Sequence, residues 1–137
     1  GFAADVGITR NISSRINVGG AILNFGKMSA LRSEEPKLPL RYITTANLLV
    51  ETGQLVNNIS ITGEWFRLIK SSVFYLSTVS CWNNFAFRLS SKLSKEVTEI
   101  SGGVGLQFGI YGLNYGVRFG SQNLGMPQMI DLTIQLP

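Results

Sequence analysis

The stretch GVGLQFGIYGLNYGVRFG, residues 103–120, alternates large apolar side chains with glycine and polar residues over nearly its whole length. Alternation with a period of two is typical of a β-strand whose two faces meet different surroundings. The pair Gly109-Ile110 divides the stretch into two such segments and is short enough for a hairpin turn. The stretch therefore predicts two antiparallel strands, and the fold depends on which of their faces meets water.

The same period recurs along the chain and predicts nine strands, whereas no segment has a convincing period of 3.6 residues. The predicted strands are residues 2–9, 15–24, 40–50, 56–66, 73–82, 85–93, 100–109, 111–120 and 128–136. Short and long connections alternate strictly, as in bacterial outer-membrane barrels. The short ones are Arg10–Ser14, Glu51–Leu55, Asn83-Asn84 and Gly109-Ile110, and the longer ones are Phe25–Pro39, Arg67–Ser72, Ser94–Glu99 and Ser121–Pro127. We therefore predict an all-β fold, an antiparallel up-and-down transmembrane β-barrel.

The composition excludes several classes of function. Charged residues make up 15% of the chain, below the ~25% of a typical soluble domain. Histidine is absent and Cys81 is the single cysteine, which excludes histidine-based catalysis and Cys/His zinc sites. The net charge of +4 does not come from a basic cluster, so we expect no nucleic-acid partner. Residues 102–109, GGVGLQFG, lack the Lys-Ser/Thr pair of a phosphate loop. We therefore expect that the protein is not an enzyme and binds no cofactor or metal.

The last three predicted strands separate cleanly into an apolar and a polar face. The polar face consists of glycine, serine, threonine, amides and isolated charges, which is too small and neutral for the water-facing exterior of a soluble domain. We therefore expect it to line a lumen, while the large residues of the opening stretch face lipid. The expected lumen-facing charges are Asp5, Glu64, Arg88, Arg118 and Asp131. A hairpin centred near Leu124 would place Arg118 opposite Asp131, which predicts a structural ion pair.

Aromatic residues occur at both ends of the predicted strands. Trp82, Phe85, Phe108 and Tyr111 flank two of the short turns, and Trp65, Phe66 and Phe119 lie at the opposite strand ends. This distribution favours the two aromatic girdles of a transmembrane barrel. Aromatic residues are also good strand formers, which is the alternative explanation.

The order of several short motifs resembles the C-terminal part of the PorV/PorQ family of bacterial outer-membrane β-barrels, which are distantly similar to the FadL fatty-acid channels. The matching motifs are the strand Ala3–Gly7, NFG at Asn24–Gly26, Pro39-Leu40, the WNN hairpin at Trp82–Asn84, GGVGLQF at Gly102–Phe108 and Leu124-Gly125. Family members are about twice as long and begin with a signal peptide, whereas the first residues here, GFAADVGITR, do not form one. The resemblance implies that residues 1–137 are the C-terminal part of one larger barrel domain.

The resemblance also implies a non-enzymatic function in the bacterial outer membrane. The family is associated with type IX secretion, where such a barrel is a subunit or a docking platform that receives secreted cargo. Its implied partners are outer-membrane lipid, other secretion-system proteins and the cargo. The implied contact surfaces are the longer loops Phe25–Pro39, Ser94–Glu99 and Ser121–Pro127. Candidate contact residues in the first loop are Lys27, Arg32, Glu34, Glu35 and Lys37.

Two other functions stay open at the level of sequence. A FadL-like channel for hydrophobic small molecules needs an apolar interior pocket, and the polar inner face of the last three strands argues against it. A soluble ligand-binding β-barrel or sandwich is the third reading, and it predicts solubility without detergent. An enzyme is the least favoured class, because no nucleophile–base spacing or metal-ligand cluster occurs.

Overall fold

A computed structural model describes residues 1–29, 37–121 and 125–135 of the chain. The described residues form nine β-strands and no helix long and apolar enough to cross a membrane. The strands are β1 (Phe2–Asn11), β2 (Ile16–Lys27), β3 (Arg41–Thr52), β4 (Leu55–Phe66), β5 (Ser71–Trp82), β6 (Phe85–Ser94), β7 (Thr98–Phe108), β8 (Tyr111–Gly120) and β9 (Gln128–Ile134). All nine predicted strands are present, and the period of two along the sequence therefore located each of them.

The nine strands form one sheet in the order β1 to β9, and every neighbouring pair is antiparallel. The prediction of an all-β, antiparallel, up-and-down fold is confirmed. Strand direction alternates from one strand to the next, so β1 and β9 run in the same direction. In the part of the chain that the structure describes, these two edges do not pair with each other. The sheet is open in this chain, which is consistent with part of a larger barrel.

Short and long links alternate as the sequence predicts. One end of the sheet, the turn end, has the links 12–15, 53–54, 83–84 and 109–110, and the other, the loop end, has the links 28–40, 67–70, 95–97 and 121–127. Each two-residue turn begins with a positive φ, at Gly53 (59°), Asn83 (50°) and Gly109 (55°). Positive φ at the first central position is the requirement of a type II′ turn, whose twist matches that of the flanking strands.

Because directly paired residues of antiparallel strands share a face, the register defines two faces of the sheet. From β3 to β9 the apolar face carries the even-numbered residues of β3, β5, β7 and β9 and the odd-numbered residues of β4, β6 and β8. The remaining residues of these strands form the polar face. No residue of the apolar face in β3–β9 is charged, whereas the polar face of the same strands carries Arg41, Glu51, Glu64, Arg88, Lys92, Glu99, Arg118 and Asp131.

The apolar face is the more exposed of the two. Leu76 and Ile61 on this face are 49% and 54% exposed, whereas Val73 and Glu64 on the polar face are 8% and 6% exposed. Side chains crowd each other on the concave side of a curved sheet, so this difference indicates that the sheet curves toward its polar face. A soluble sheet buries its apolar face instead.

The sheet has almost no hydrophobic core. Among the described residues, Val73 is the one apolar side chain that is buried. The chain exposes 10492 Å² of surface, whereas a compact soluble protein of its mass exposes roughly 7,000 Å². The strands are therefore held together by the backbone ladder and by side chains that meet on one face, and not by layers packed over a core.

We expect Gly109→Ala to lower the free energy of unfolding by about 1–2 kcal/mol, because an L-residue is strained at positive φ. An added Cβ meets nothing within 4 Å at this position, so strain of the backbone is the sole cost. Gly116→Ala is the matched control, since its Cβ makes ordinary contact with the Gly102 carbonyl oxygen at 3.8 Å. Urea unfolding followed by tryptophan fluorescence measures both, and equal losses would contradict the assigned turn.

Candidate functional site

The register places all five charges expected to face the lumen on the polar face of the sheet. Glu64, Arg88, Arg118 and Asp131 lie there in β4, β6, β8 and β9. Asp5 lies on the same side of β1, at a bulge where Leu23 and Asn24 together oppose it. Its Oδ1 accepts a hydrogen bond of 2.7 Å from the Asn24 backbone N–H, which holds Asn24 at a φ of 58°. Asp5 therefore shapes β2 where it approaches the loop end.

The most buried charge of the polar face is Glu64. Arg41, on the neighbouring strand β3, forms a salt bridge with the Glu64 carboxylate and stacks over the Phe66 ring at 5.0 Å. The Tyr75 hydroxyl lies 3.4 Å from Glu64 Oε2. The side chain of Glu64 is 5% exposed and that of Arg41 is 34% exposed. A carboxylate this buried needs its cation and hydrogen bonds, so the cluster joins β3, β4 and β5 near the loop end.

A second polar chain spans four strands near the sheet edge, from β6 to β9. Arg88 Nη1 donates to Asn114 Oδ1 at 3.0 Å, and Asn114 Nδ2 donates to Asp131 Oδ2 at 3.1 Å. The Thr133 hydroxyl also donates to Asp131, at 3.1 Å. Gly105 on β7 lies between Arg88 and Asn114. A Cβ at Gly105 would approach Asn114 Oδ1 to 2.6 Å and Arg88 Nη1 to 2.8 Å. The absence of a side chain at Gly105 therefore lets Arg88 reach across β7.

The predicted ion pair between Arg118 and Asp131 is not formed. Asn114 is the residue opposite Asp131, and Arg118 Nη1 lies 3.9 Å from Glu99 Oε2 on β7 instead. The pairing of β8 with β9 begins at Val117 and Gln128, preceded by a hydrogen bond of 3.1 Å from the Arg118 N–H to the Pro127 carbonyl. Proline has no N–H to donate, so the regular ladder starts after it. The observed register therefore contradicts the expected hairpin centre near Leu124.

Uncharged polar side chains link the polar face across the first four strands. Asn17 donates to Asn11 at 2.7 Å, and the Ser60 hydroxyl donates to Asn47 Oδ1 at 2.6 Å. The hydroxyls of Thr45 and Thr62 are 3.1 Å apart. Cross-strand pairs of this kind stabilise adjacent strands by about 0.2–1 kcal/mol each. Hydrogen-bonded polar pairs thus take the place that apolar contacts occupy in a soluble sheet.

Aromatic rings form two rows on the apolar face, one near each end of the strands. The row at the turn end consists of Trp82, Phe85, Phe108 and Tyr111, and that at the loop end of Tyr42, Trp65, Phe74 and Phe119. Trp82 stacks on Phe85 with 6.5 Å between ring centroids. The exposed fraction of these eight side chains ranges from 37% to 67%. Phe66, which the sequence grouped with them, lies on the polar face beside Arg41.

The candidate contact residues of the first long loop are described in part. Lys27 and Lys37 are exposed at the loop end, whereas Arg32, Glu34 and Glu35 lie outside the described residues. A cavity of about 610 Å³ lies between the start of this loop and the link 67–70, and Lys27, Lys37 and Arg67 line it. Sequence analysis did not identify Arg67, because its distance from Lys27 along the chain gives no sign that the sheet brings the two together.

The other long links are shorter than expected or partly described. Ser94 and Thr98 belong to strands, which leaves 95–97 as a tight link in which the Ser94 hydroxyl and Val97 backbone bond to each other at 2.9 and 3.0 Å. Gly125–Pro127 and Ser121 are described in the last link. In residues 1–29, 37–121 and 125–135, no three His, Cys, Asp or Glu side chains are grouped as metal ligands would be. Cys81 is an exposed free thiol at the turn end.

Comparison with known proteins gives no match. No protein-family model matches the chain, and neither a curated protein nor a solved structure is similar to it at the level that indicates common ancestry. The fold and the charge distribution of the two faces are therefore the basis for any statement about function.

We expect Arg41→Met to lower the free energy of unfolding by about 3 kcal/mol, because it leaves the Glu64 carboxylate buried without its cation. Glu64→Gln removes the charge together with the salt bridge and should cost less, about 1–2 kcal/mol. The double variant should lose less than the sum of the two, as residues in contact do. Urea unfolding measures all three, and additive losses would contradict the coupling.

Lys92→Met is the control for this cycle. Lys92 Nζ lies 3.9 Å from Glu99 Oε1 at the surface, with a side chain that is 35% exposed. Pairs of this kind contribute about 0–1 kcal/mol, so this variant should unfold close to the wild type.

Proposed function

We propose that the chain is part of a bacterial outer-membrane β-barrel whose apolar face contacts lipid and whose polar face lines the lumen. The observation that carries this proposal is the charge-free, exposed apolar face of β3–β9, bounded by an aromatic row at each end. Transmembrane barrels have an outward apolar band between two aromatic girdles and a polar interior. A soluble sheet with this much exposed apolar surface would associate or aggregate.

The dimensions of the apolar face support the same assignment. Phe74 and Trp82 mark its two ends in β5, and Tyr111 and Phe119 mark them in β8. Eight residue steps in a strand span about 27 Å, and a tilt of about 40° reduces the height to about 21 Å. The apolar band of an outer-membrane barrel is about 25 Å tall. Strands of 10–12 residues from β3 to β8 match the length that such a membrane requires.

For the biological role, we propose a non-enzymatic subunit or cargo-docking platform of a type IX secretion system. The resemblance of the strand motifs to PorV/PorQ barrels supports this proposal. The longer links gathered at one end of the sheet support it as well, because external loops are where barrels meet partners. A channel for hydrophobic molecules is less favoured, because the polar face of β3–β9 carries eight charged side chains.

The orientation of the apolar face toward lipid predicts opposite outcomes for two adjacent substitutions. In the complete barrel, Leu76→Arg places a charge in the middle of the apolar face and should reduce the free energy of folding into phosphatidylcholine vesicles by about 2–4 kcal/mol. Ser77→Arg points to the polar face, among Ser60 and Ser90, and should change it by less than about 1 kcal/mol. Heat-modifiable mobility in SDS gels measures folding. Equal effects of the two substitutions, large or small, would contradict the assignment of one face to lipid and the other to the lumen.

Exchange of residues 29–38 for a Gly/Ser linker of the same length should abolish the capture of secreted cargo while the barrel still inserts. The exchange leaves the ladder between β2 and β3 intact, since this pairing ends at Leu23 and Arg41. Co-purification of a cargo protein that bears a C-terminal signal domain measures capture. Exchange of residues 12–15 at the turn end is the control and should leave capture unchanged. Unchanged capture by the long-loop variant would refute the proposed role of this loop.

A further inference from the structure

A cavity at the loop end combines three cations with apolar side chains. Lys27, Lys37 and Arg67 line it together with Phe25, Met28 and Leu68, and its volume is about 610 Å³. This volume is in the range of ligand-binding cavities, about 300–1,000 Å³. Phe25, Met28 and Leu68 are 60%, 41% and 54% exposed, so the apolar part of the lining is accessible.

The charge of the cavity lining is positive. In the ranges 1–29, 37–121 and 125–135, no carboxylate oxygen lies within 4.0 Å of the side-chain nitrogens of Lys27, Lys37 or Arg67. Of the polar-face cations, Arg41, Lys92 and Arg118 each have an acidic partner. Arg88 donates to the Asn114 side-chain carbonyl instead. Three cations that line one cavity without such a partner favour an anionic ligand.

The position of the cavity relates it to the apolar face. Phe25 pairs with Ala4 and Lys27 pairs with Phe2, which places both on the side of Ile22 and Tyr42 in the first strands. They lie beyond Tyr42 and Trp65 toward the loop end, so the cavity is directly above the aromatic row of that end. In a membrane barrel, aromatic girdles mark the interface at which lipid headgroups begin.

We propose that this cavity binds the phosphate headgroup of an anionic membrane lipid, whose acyl chains continue along the apolar face. The guanidinium of Arg67 offers a fork of donors to phosphate oxygens, and the two lysines supply point charges. Phe25, Met28 and Leu68 contact the glycerol and the first methylene groups, which a free inorganic anion does not possess. The proposal rests on the membrane location proposed above.

The test compares two variants that each lose two positive charges. Lys27→Gln/Arg67→Gln alters the cavity, and Arg15→Gln/Lys95→Gln alters exposed cations elsewhere. Each of the three proteins is the complete barrel that contains this chain, and its folding into neutral phosphatidylcholine vesicles is measured first. Calorimetric titration of the detergent-solubilised barrel then uses dihexanoyl phosphatidylglycerol, dihexanoyl phosphatidylcholine and inorganic phosphate, each as monomers in solution.

We expect all three proteins to fold into neutral vesicles and the wild type to prefer phosphatidylglycerol to phosphatidylcholine by about tenfold. The cavity variant should bind phosphatidylglycerol about thirtyfold more weakly, about fivefold for each cation removed, and the control variant should retain the affinity of the wild type. Three results would each overturn the inference. They are equal binding of the two lipids, an equal loss of affinity for phosphatidylglycerol in both variants, and binding of inorganic phosphate as tight as that of the anionic lipid. Folding into vesicles without a lipid preference would contradict the lipid site and leave the proposed membrane location unchanged. Failure to fold into vesicles would contradict both the lipid site and the membrane location.

Discussion

The antiparallel hydrogen-bond ladder that joins all neighbouring strands from β1 to β9 is the interaction on which the whole structure depends. A soluble domain of this length is held by a hydrophobic core, but here Val73 is the single buried apolar residue of the described chain. The ladder pairs most of the backbone polar groups of the interior strands, and such pairing is the condition for placing strands in a medium without water. The apolar side chains are then free to point outward.

The polar face follows from the same constraint. Once the apolar residues occupy the outer surface, charged and polar residues on the inner side meet each other across neighbouring strands. Glu64 therefore needs Arg41, and Asp131 is joined to Arg88 through Asn114. Small residues decide where these connections are possible, as Gly105 shows by leaving room for Arg88. The inner face is in this sense a network of hydrogen bonds on a curved sheet.

The two edges of the sheet set a further condition on the complete barrel. Since β1 and β9 run in the same direction, they cannot close an antiparallel barrel by pairing with each other. An odd number of additional strands satisfies both edges and gives an even total, which single-chain bacterial barrels have. Exposed edges with unpaired N–H and C=O groups do not occur in the hydrocarbon region, so the membrane proposal requires these strands.

The sequence by itself determined the nine strands, the alternation of short and long links, and the two faces of the last three strands, although it grouped Phe66 with the wrong face. The period of two within each strand is a local property, and an apolar face without charges is visible in it before any strand is paired. The alignment of strands connected by long links was decided by the tertiary structure alone. The partner of Asp131 is Asn114 and not Arg118, which is a shift by an even number of residues. Such a shift leaves each side chain on the same face, so the sequence pattern cannot distinguish the two registers. The same reason hid the cavity at the loop end, because Lys27 and Arg67 meet only through the pairing of the strands between them.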